Sequence, residues 1–167
     1  RAYEREQSAA AKDAIAQILT NSRMCAEGRR PICHDTGIVN VFLTQLLSGN
    51  RVVVRGSLER KRDLLYVEDA AQAIVLSLLN PDSRGHIINI GTGTSVTIQG
   101  LIETICRCMR RQITDIEIVE ERGTVGDPLS NVADCSKALD ILDFVPQYDL
   151  EKGLLELLRK REIVLGD

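Results

Sequence analysis

Apolar and polar positions along the chain alternate with two different periods, and the change between them divides the molecule. From Ser8 to Met24 the spacing is helical, with Ala11, Ile15, Ile18 and Leu19 on one face beside Ser22. Gly28 supplies a C-cap for this helix and Pro31 forbids its continuation. "ICHDTG" then reads as a loop, and "IVNVFLTQLLSGN" resumes helical spacing until Gly49. Beyond Gly49, short β-branched runs appear: "RVVV", "DLLYV", "HIINIG" and "DIEIVE" predict four strands. Between and after them lie helical stretches with start and stop signals. Asp69 is placed to cap "AAQAIVLSLLN", which Pro81 ends, and Thr97 to cap "IQGLIETICRCMRR". Asp134 is placed to cap the short helix "DCSKALDIL", and Asp149 the last one, "LEKGLLELLRKRE". Strands alternating with helices indicate an α/β layer. The texture changes around residues 38–43, with helix and loop before and α/β alternation after.

Composition narrows the class. With 44% hydrophobic residues in 167 the chain can bury a core, and with 3% aromatics and no Trp that core must be aliphatic. The net charge of −3, spread along the chain, excludes the basic stripe that a nucleic-acid partner requires. "AAQAIVLSLL", the longest apolar stretch, is about half of a bilayer span. The charged start lacks a signal peptide's apolar region, so a soluble, cytoplasmic protein is expected. Five irregularly spaced cysteines suggest no disulfide framework. Cys106 and Cys108 lie about 200° apart around a predicted helix, too far round to share a ligand.

Four stretches invite chemistry. "NIGTGTSVTIQG" follows a predicted strand and opens a helix, but only Gly91 and Gly93 match a G-x-G-x-x-G phosphate turn, and Val96 stands where the third glycine belongs. A tight strand-to-helix turn is the simpler reading. Tyr148 and Lys152 have the Tyr-x-x-x-Lys spacing of a general acid/base pair, yet Asp149 between them looks like a helix N-cap, which leaves Tyr148 outside the helix. Arg62 precedes a strand and Arg122 opens the loop "RGTVGDPLSN". Two guanidinium forks on one sheet edge could clamp a diphosphate, although on spacing alone solvated surface charge is the better reading. In Cys33–His34–Asp35 adjacent side chains point apart, and with His86 the only other histidine the loop lacks the donors for a metal site.

Two family resemblances cover different parts of the chain. From about residue 40 to 160, "FLTQLLSGNRVVVRGSLERKRDLLYVEDAAQAIVLSLL", "GHIINIGTGTSVTIQGLIETI" and "GDPLSNVADCSKALDILDFVPQYDLEKGL" resemble the C-terminal half of extended short-chain dehydrogenases, the NAD-dependent sugar epimerase/dehydratase family. That resemblance implies that Arg62, in the R-D-x-x-x-V-x-D pattern, contacts a nucleotide diphosphate. It implies the same for Arg122 before a Gly-Asp pair, here two residues more distant than in the family. It also makes Val54 a wall of the base site. The family's NAD-cradling glycine turn and its catalytic Tyr-x-x-x-Lys belong to the half this stretch does not match. "AAAKDAIAQILTNSRMCAEGRRPICHDTGIVNVF", within about residues 8–43, resembles class I fumarate hydratases, iron–sulfur enzymes whose "ICQDTG" cysteine is one of three cluster ligands. Cys33 and Asp35 match that motif, and His34 replaces its glutamine.

The expected architecture is therefore α/β: a small sheet flanked by helices with an added N-terminal helical segment, divided as residues 1–43 and 44–167. The whole looks chimeric, whether natural or constructed. The expected function is that of a nucleotide-sugar epimerase/dehydratase fragment that binds a nucleotide-diphosphate sugar weakly through Arg62, Arg122 and Val54. No catalytic residue and no cofactor is assigned to the chain itself; NAD belongs to one parent family and the iron–sulfur cluster, with Cys33 as a ligand, to the other. The alternatives are a fumarase-like hydratase fragment and an inactive recombinant fold. The open edges of "LLYV" and "HIINI" call for a cover, either the N-terminal helix or a second copy of the chain in a homo-oligomer.

Overall fold

The computed structural model describes residues 38–123 and 127–160. The helix expected over Ser8–Met24, its Gly28 cap and the Cys33 loop lie outside the described residues. The chain divides into two compact units, Arg1–Val41 and Phe42–Asp167. The description below concerns the second, together with residues 38–41, which begin its first helix.

Five α-helices and five strands follow one another among the described residues. They are α1 (Ile38–Ser48), β1 (Arg51–Arg55), β2 (Lys61–Arg62), α2 (Val67–Leu79), β3 (Val96–Thr97), α3 (Ile98–Cys108), β4 (Glu117–Glu121), β5 (Ser130–Asn131), α4 (Ser136–Leu142) and α5 (Leu150–Lys160). The α/β class and its five helices thus agree with the hydrophobic pattern. The strands form two small sheets. β1 pairs in parallel with β4, and β2 lies between antiparallel β3 and parallel β5.

The β1–β4 pair shows why "RVVV" is a strand. Val52 and Val54 are buried on one face, and the Val53 N–H on the alternate register donates to Gln45 Oε1 of α1 at 2.8 Å. Arg51 faces Glu117 and Arg55 faces Glu121 in exact register, at 3.6 and 3.7 Å. Such exposed pairs contribute only about 0.2–1 kcal/mol each, and they set register more than stability. Arg111 closes the end of α1, its guanidinium donating to the carbonyls of Leu46 and Gly49.

The aliphatic core is in two parts. Leu101, Ile102, Ile105, Cys106 and Cys108 of α3 are buried, as are Leu154 and Leu158 of α5, and the two helices pack together. Burial pushes the Cys106 and Cys108 thiols up from their ordinary range, so both behave as small apolar groups. The second part joins α2 to α4 through Ala73, Ala138, Leu142 and Phe144, with Ile88 and Ile90 against it.

Three expectations are corrected. "HIINIG" joins no ladder among the described residues. Ile88 and Ile90 reach the α2–α4 core while Ile87 is 86% exposed, so the alternation of a strand is present without a neighbouring strand to pair it. "DLLYV" likewise forms no strand: β2 ends at Arg62, just before it, and only the Asp63 N–H continues the pairing, on the Asn131 carbonyl, before α2 begins at Val67. Asp69 does not cap α2. That helix starts at Val67, and the buried Asp69 carboxylate in its first turn accepts the N–H groups of Gln147 and Tyr148 at 3.0 and 3.1 Å. Thr97 and Asp149 do cap, accepting from the N–H groups of Gly100 and Lys152 at 3.0 and 2.8 Å. Asp134 accepts from Ser136 through both backbone and hydroxyl, one residue before the N-cap position of α4, which Cys135 occupies.

The Asp69 bonds tie the approach to α5 onto the first turn of α2. Replacing Asp69 by Ala takes the acceptor from two backbone donors in a part-buried setting, a loss of about 1–3 kcal/mol. Asp69→Asn keeps one acceptor oxygen and loses less. Urea unfolding of the three proteins checks this order.

Candidate functional site

Arg62, the last residue of β2, and Asp63, which follows it, have side chains that organise the loops around them. Arg62 is 3% exposed. Its guanidinium donates to Asp127 Oδ1 at 2.7 Å, to the Pro128 carbonyl at 3.1 Å and to its neighbour's Lys61 carbonyl at 2.8 Å. Arg60 also pairs with Asp127, through its other carboxylate oxygen. Asp63, next along the chain, serves the opposite loop. Its two carboxylate oxygens accept the N–H groups of Thr92 (2.8 Å), Gly93 (3.0 Å) and Ala133 (3.2 Å) and the Thr92 hydroxyl (2.6 Å).

This explains the glycines of "GTGTS" without a phosphate. A Cβ on Gly91 would sit 2.7 Å from Asp63 Oδ2 and 2.6 Å from the Ala133 side chain, so only glycine lets the loop approach the carboxylate. Gly93 adopts φ +69°, in the left-handed region. The segment is a turn stapled to Asp63 that leads through β3 into α3, as its imperfect fingerprint indicates.

Tyr148 stands outside α5, as the Asp149 cap requires. Lys152 Nζ lies 4.3 Å from its ring centroid and donates to the Gln147 carbonyl at 3.0 Å, while the Tyr148 hydroxyl donates to Glu68 at 2.8 Å. The Glu68 carboxylate raises the Tyr148 phenol above its ordinary range, the reverse of what a general base needs. Tyr66 stacks on Tyr148 with centroids 4.4 Å apart, and Lys160 reaches both Glu68 and the Tyr66 ring.

Between these groups lies a cleft of about 460 Å³, within the size range of small-ligand sites. Arg62, Thr92, Thr94 and Ser95 form a polar wall, and Val145 and Tyr148 contribute to an apolar one. The wall thus offers one guanidinium and three hydroxyls, groups that recognise phosphate or sugar oxygens. Of the three residues expected from the sequence, Arg62 lines this cleft. Val54 is buried in β1, and Arg122 is exposed just past the end of β4; neither contributes to the cleft wall. Cys33 lies outside the described residues. Among the described residues no group of three metal-ligating side chains gathers, and no helix is long and apolar enough to cross a membrane.

Known proteins share this fold. The dTDP-4-dehydro-6-deoxyglucose reductase of Escherichia coli is 30% identical over 142 residues, which are 80% of this chain and 40% of that protein. The crystal structure of UDP-glucose 4-epimerase from Thermotoga maritima, solved with UDP-glucose, superposes with a TM-score of 0.66 at 31% identity, covering 75% of this chain and 40% of that one. Over that stretch the chain matches the NAD-dependent sugar epimerase/dehydratase family. The dTDP-glucose 4,6-dehydratase of Bacillus anthracis, solved with NAD, superposes with a TM-score of 0.65 at 26% identity, covering 79% of this chain and 41% of that one. The chain thus spans about two fifths of the length of these epimerase/dehydratase relatives. A family model for fumarate hydratase (Fumerase) matches residues 1–63, so the whole looks chimeric.

The epimerase/dehydratase resemblance pointed to Arg62 but not to the aspartates that place it. Asp63 stands in the quoted R-D pattern and Asp127 in the quoted "GDP", yet each was read only as part of a spacing. Their signal was the company they keep: a carboxylate beside an arginine that a strand pattern buries must find donors or a counter-charge.

The Tyr148–Glu68 bond gives a pH signature. Because the folded phenol titrates above its ordinary value, the stabilisation from this bond is complete below the ordinary tyrosine range and disappears as pH rises through the raised value. Glu68→Gln returns the Tyr148 titration, followed by its ring resonances, towards the ordinary value near about 10.

Proposed function

We propose that residues from about 44 onward form a nucleotide-sugar-binding remnant of the epimerase/dehydratase fold, one that binds weakly and does not turn its ligand over. The observation that supports this reading most is the buried Arg62 at the wall of a hydroxyl-lined cleft. A nucleotide-diphosphate sugar offers the matching chemistry: phosphate oxygens for the guanidinium and sugar hydroxyls for Thr92, Thr94 and Ser95. The solved relative from Thermotoga maritima carries UDP-glucose, which makes a uridine-diphosphate sugar the first ligand to try. Arg122, exposed beyond β4, is proposed as a second contact for a ligand that extends past the cleft, and Val54 as part of the support behind the base-binding segment.

Turnover is not assigned to this stretch. The Tyr148–Lys152 pair has its tyrosine hydroxyl committed to Glu68 and its pKa moved the wrong way. "GTGTS" is occupied with Asp63 rather than shaped for a dinucleotide. Hydride chemistry of the kind the relatives' names imply therefore finds neither its acid/base pair nor its cofactor turn in this site. The chain, read this way, holds no cofactor of its own.

The match of residues 1–63 to fumarate hydratase favours a second, subordinate reading of the first forty-three residues: a piece of an iron–sulfur hydratase whose one recognisable cluster ligand is Cys33. A single thiolate does not hold a four-iron cluster. Anaerobic treatment with iron and sulfide is expected to leave the protein without cluster absorbance, and a stable brown product would restore the hydratase reading.

Calorimetric titration with UDP-glucose tests the main proposal. Binding at high micromolar to millimolar concentration is expected for the intact chain. Arg62→Lys keeps the charge but loses the fork, and is expected to weaken that binding about tenfold. Absence of heat at millimolar ligand would remove the proposal.

A further inference from the structure

α2 is apolar on two opposite sides, and among the described residues only one of them is covered. Its first turn carries Glu68 and Asp69, and from Ala70 to Leu79 no charged residue follows. With a turn of about 100° per residue, Ala73 and Leu76 fall on one side, where they meet Ala138, Leu142 and Phe144. Val67, Ala71, Ile74, Val75, Leu78 and Leu79 fall on an arc of about 140° on the other side. All six are exposed, the five larger ones to between 52% and 80%. A helix that is apolar all round belongs in an interior rather than at a surface. Its polar groups do not claim the outer side either. The Ser77 hydroxyl donates to the Ala73 carbonyl at 2.8 Å, and Glu68 accepts from Tyr148 and Lys160.

Size and charge select the occupant. The outer stripe offers on the order of 600 Å² per copy, so that two copies bury about 1,200 Å², the lower bound for a specific interface. A lipid surface binds helices that carry basic residues beside the apolar stripe, whereas the charged residues of α2 are both acidic. A second copy presents the same charge-free stripe, so pairing buries apolar surface on both partners and leaves no ion unpaired. Antiparallel pairing keeps the two acidic first turns about 20 Å apart, the length of the helix, and opposes the two macrodipoles. Parallel pairing sets those like charges side by side.

We propose that the outer face of α2 is a self-association surface. Two copies pack their α2 helices antiparallel about a two-fold axis, with Val67 of one copy opposite Leu78 of the other. None of the six residues lines the cleft, so dimerisation and ligand binding are separable.

Sedimentation equilibrium of the full chain, from micromolar to about millimolar concentration, tests this. The mass is expected to rise from 18.5 kDa towards twice that value. A dissociation constant of about 10–500 μM fits an interface at the lower size bound. Ile74→Glu and Leu78→Glu each place a charge in the stripe and are expected to weaken the dimer at least about tenfold. Because both positions face solvent in one copy, circular dichroism and the melting temperature of the dilute variants are expected to stay unchanged. Either variant alone carries the test if the other does not fold. Val67→Lys and Leu78→Glu, each monomeric by itself, are expected to associate when mixed, since antiparallel packing sets the new ammonium opposite the new carboxylate. A wild-type chain that stays monomeric throughout overturns the proposal. Dimerisation untouched by both glutamate substitutions overturns α2 as the surface. A lower melting temperature of both dilute variants overturns the second copy as the occupant and gives the face to another segment of the same chain. No association in the mixture overturns the antiparallel arrangement.

Discussion

A guanidinium cannot be buried alone, and much of this fold follows from burying Arg62. Removing one partner of a buried ion pair costs about 3–5 kcal/mol, and two partners of Arg62, the Asp127 carboxylate and the Pro128 carbonyl, come from one loop. That loop becomes β5, and the three-stranded sheet is assembled around a two-residue strand whose backbone ladder is too short to hold it unaided. Three aspartates then do what a larger sheet would do elsewhere. Asp127 holds the Arg62 side of β2, Asp63 holds the loop before α3, and Asp69 holds the approach to α5.

The same bonds make the cleft. Asp63 pulls Thr92 and Gly93 towards β2, which sets Thr94 and Ser95 beside Arg62. Asp69 pulls Gln147 and Tyr148 against the start of α2, which sets the opposite wall. A polar wall that carries one charged fork and several hydroxyls faces a wall with aliphatic and aromatic surface. This combination accounts for a binding site better than for a reactive one, because the groups with acid/base potential are already engaged in structural bonds.

Helices and the class of the fold were legible in the chain because an aliphatic face repeats every three or four residues whatever lies around it. β1 and β4 were legible for the same local reason. "HIINIG" was not, since a strand depends on a neighbour and the alternation of Ile88 and Ile90 describes only which side is buried. Asp69 illustrates a second limit: an aspartate just before an apolar helical run reads as a cap, but its carboxylate found donors 78 and 79 residues away instead. Within the site, Arg62 was legible through a family pattern. Its pairing with Asp127, 65 residues on, arises from the β2–β5 ladder and has no local trace.

Chemical-shift mapping of the labelled protein with UDP-glucose tests the central claim, that the cleft beside Arg62 is a nucleotide-sugar site, most directly. The account predicts fast-exchange shifts concentrated at the backbone amides of Arg62, Thr92, Thr94, Ser95 and Tyr148, and unchanged sugar after prolonged incubation. Shifts confined to other surfaces, or none at millimolar ligand, would contradict it.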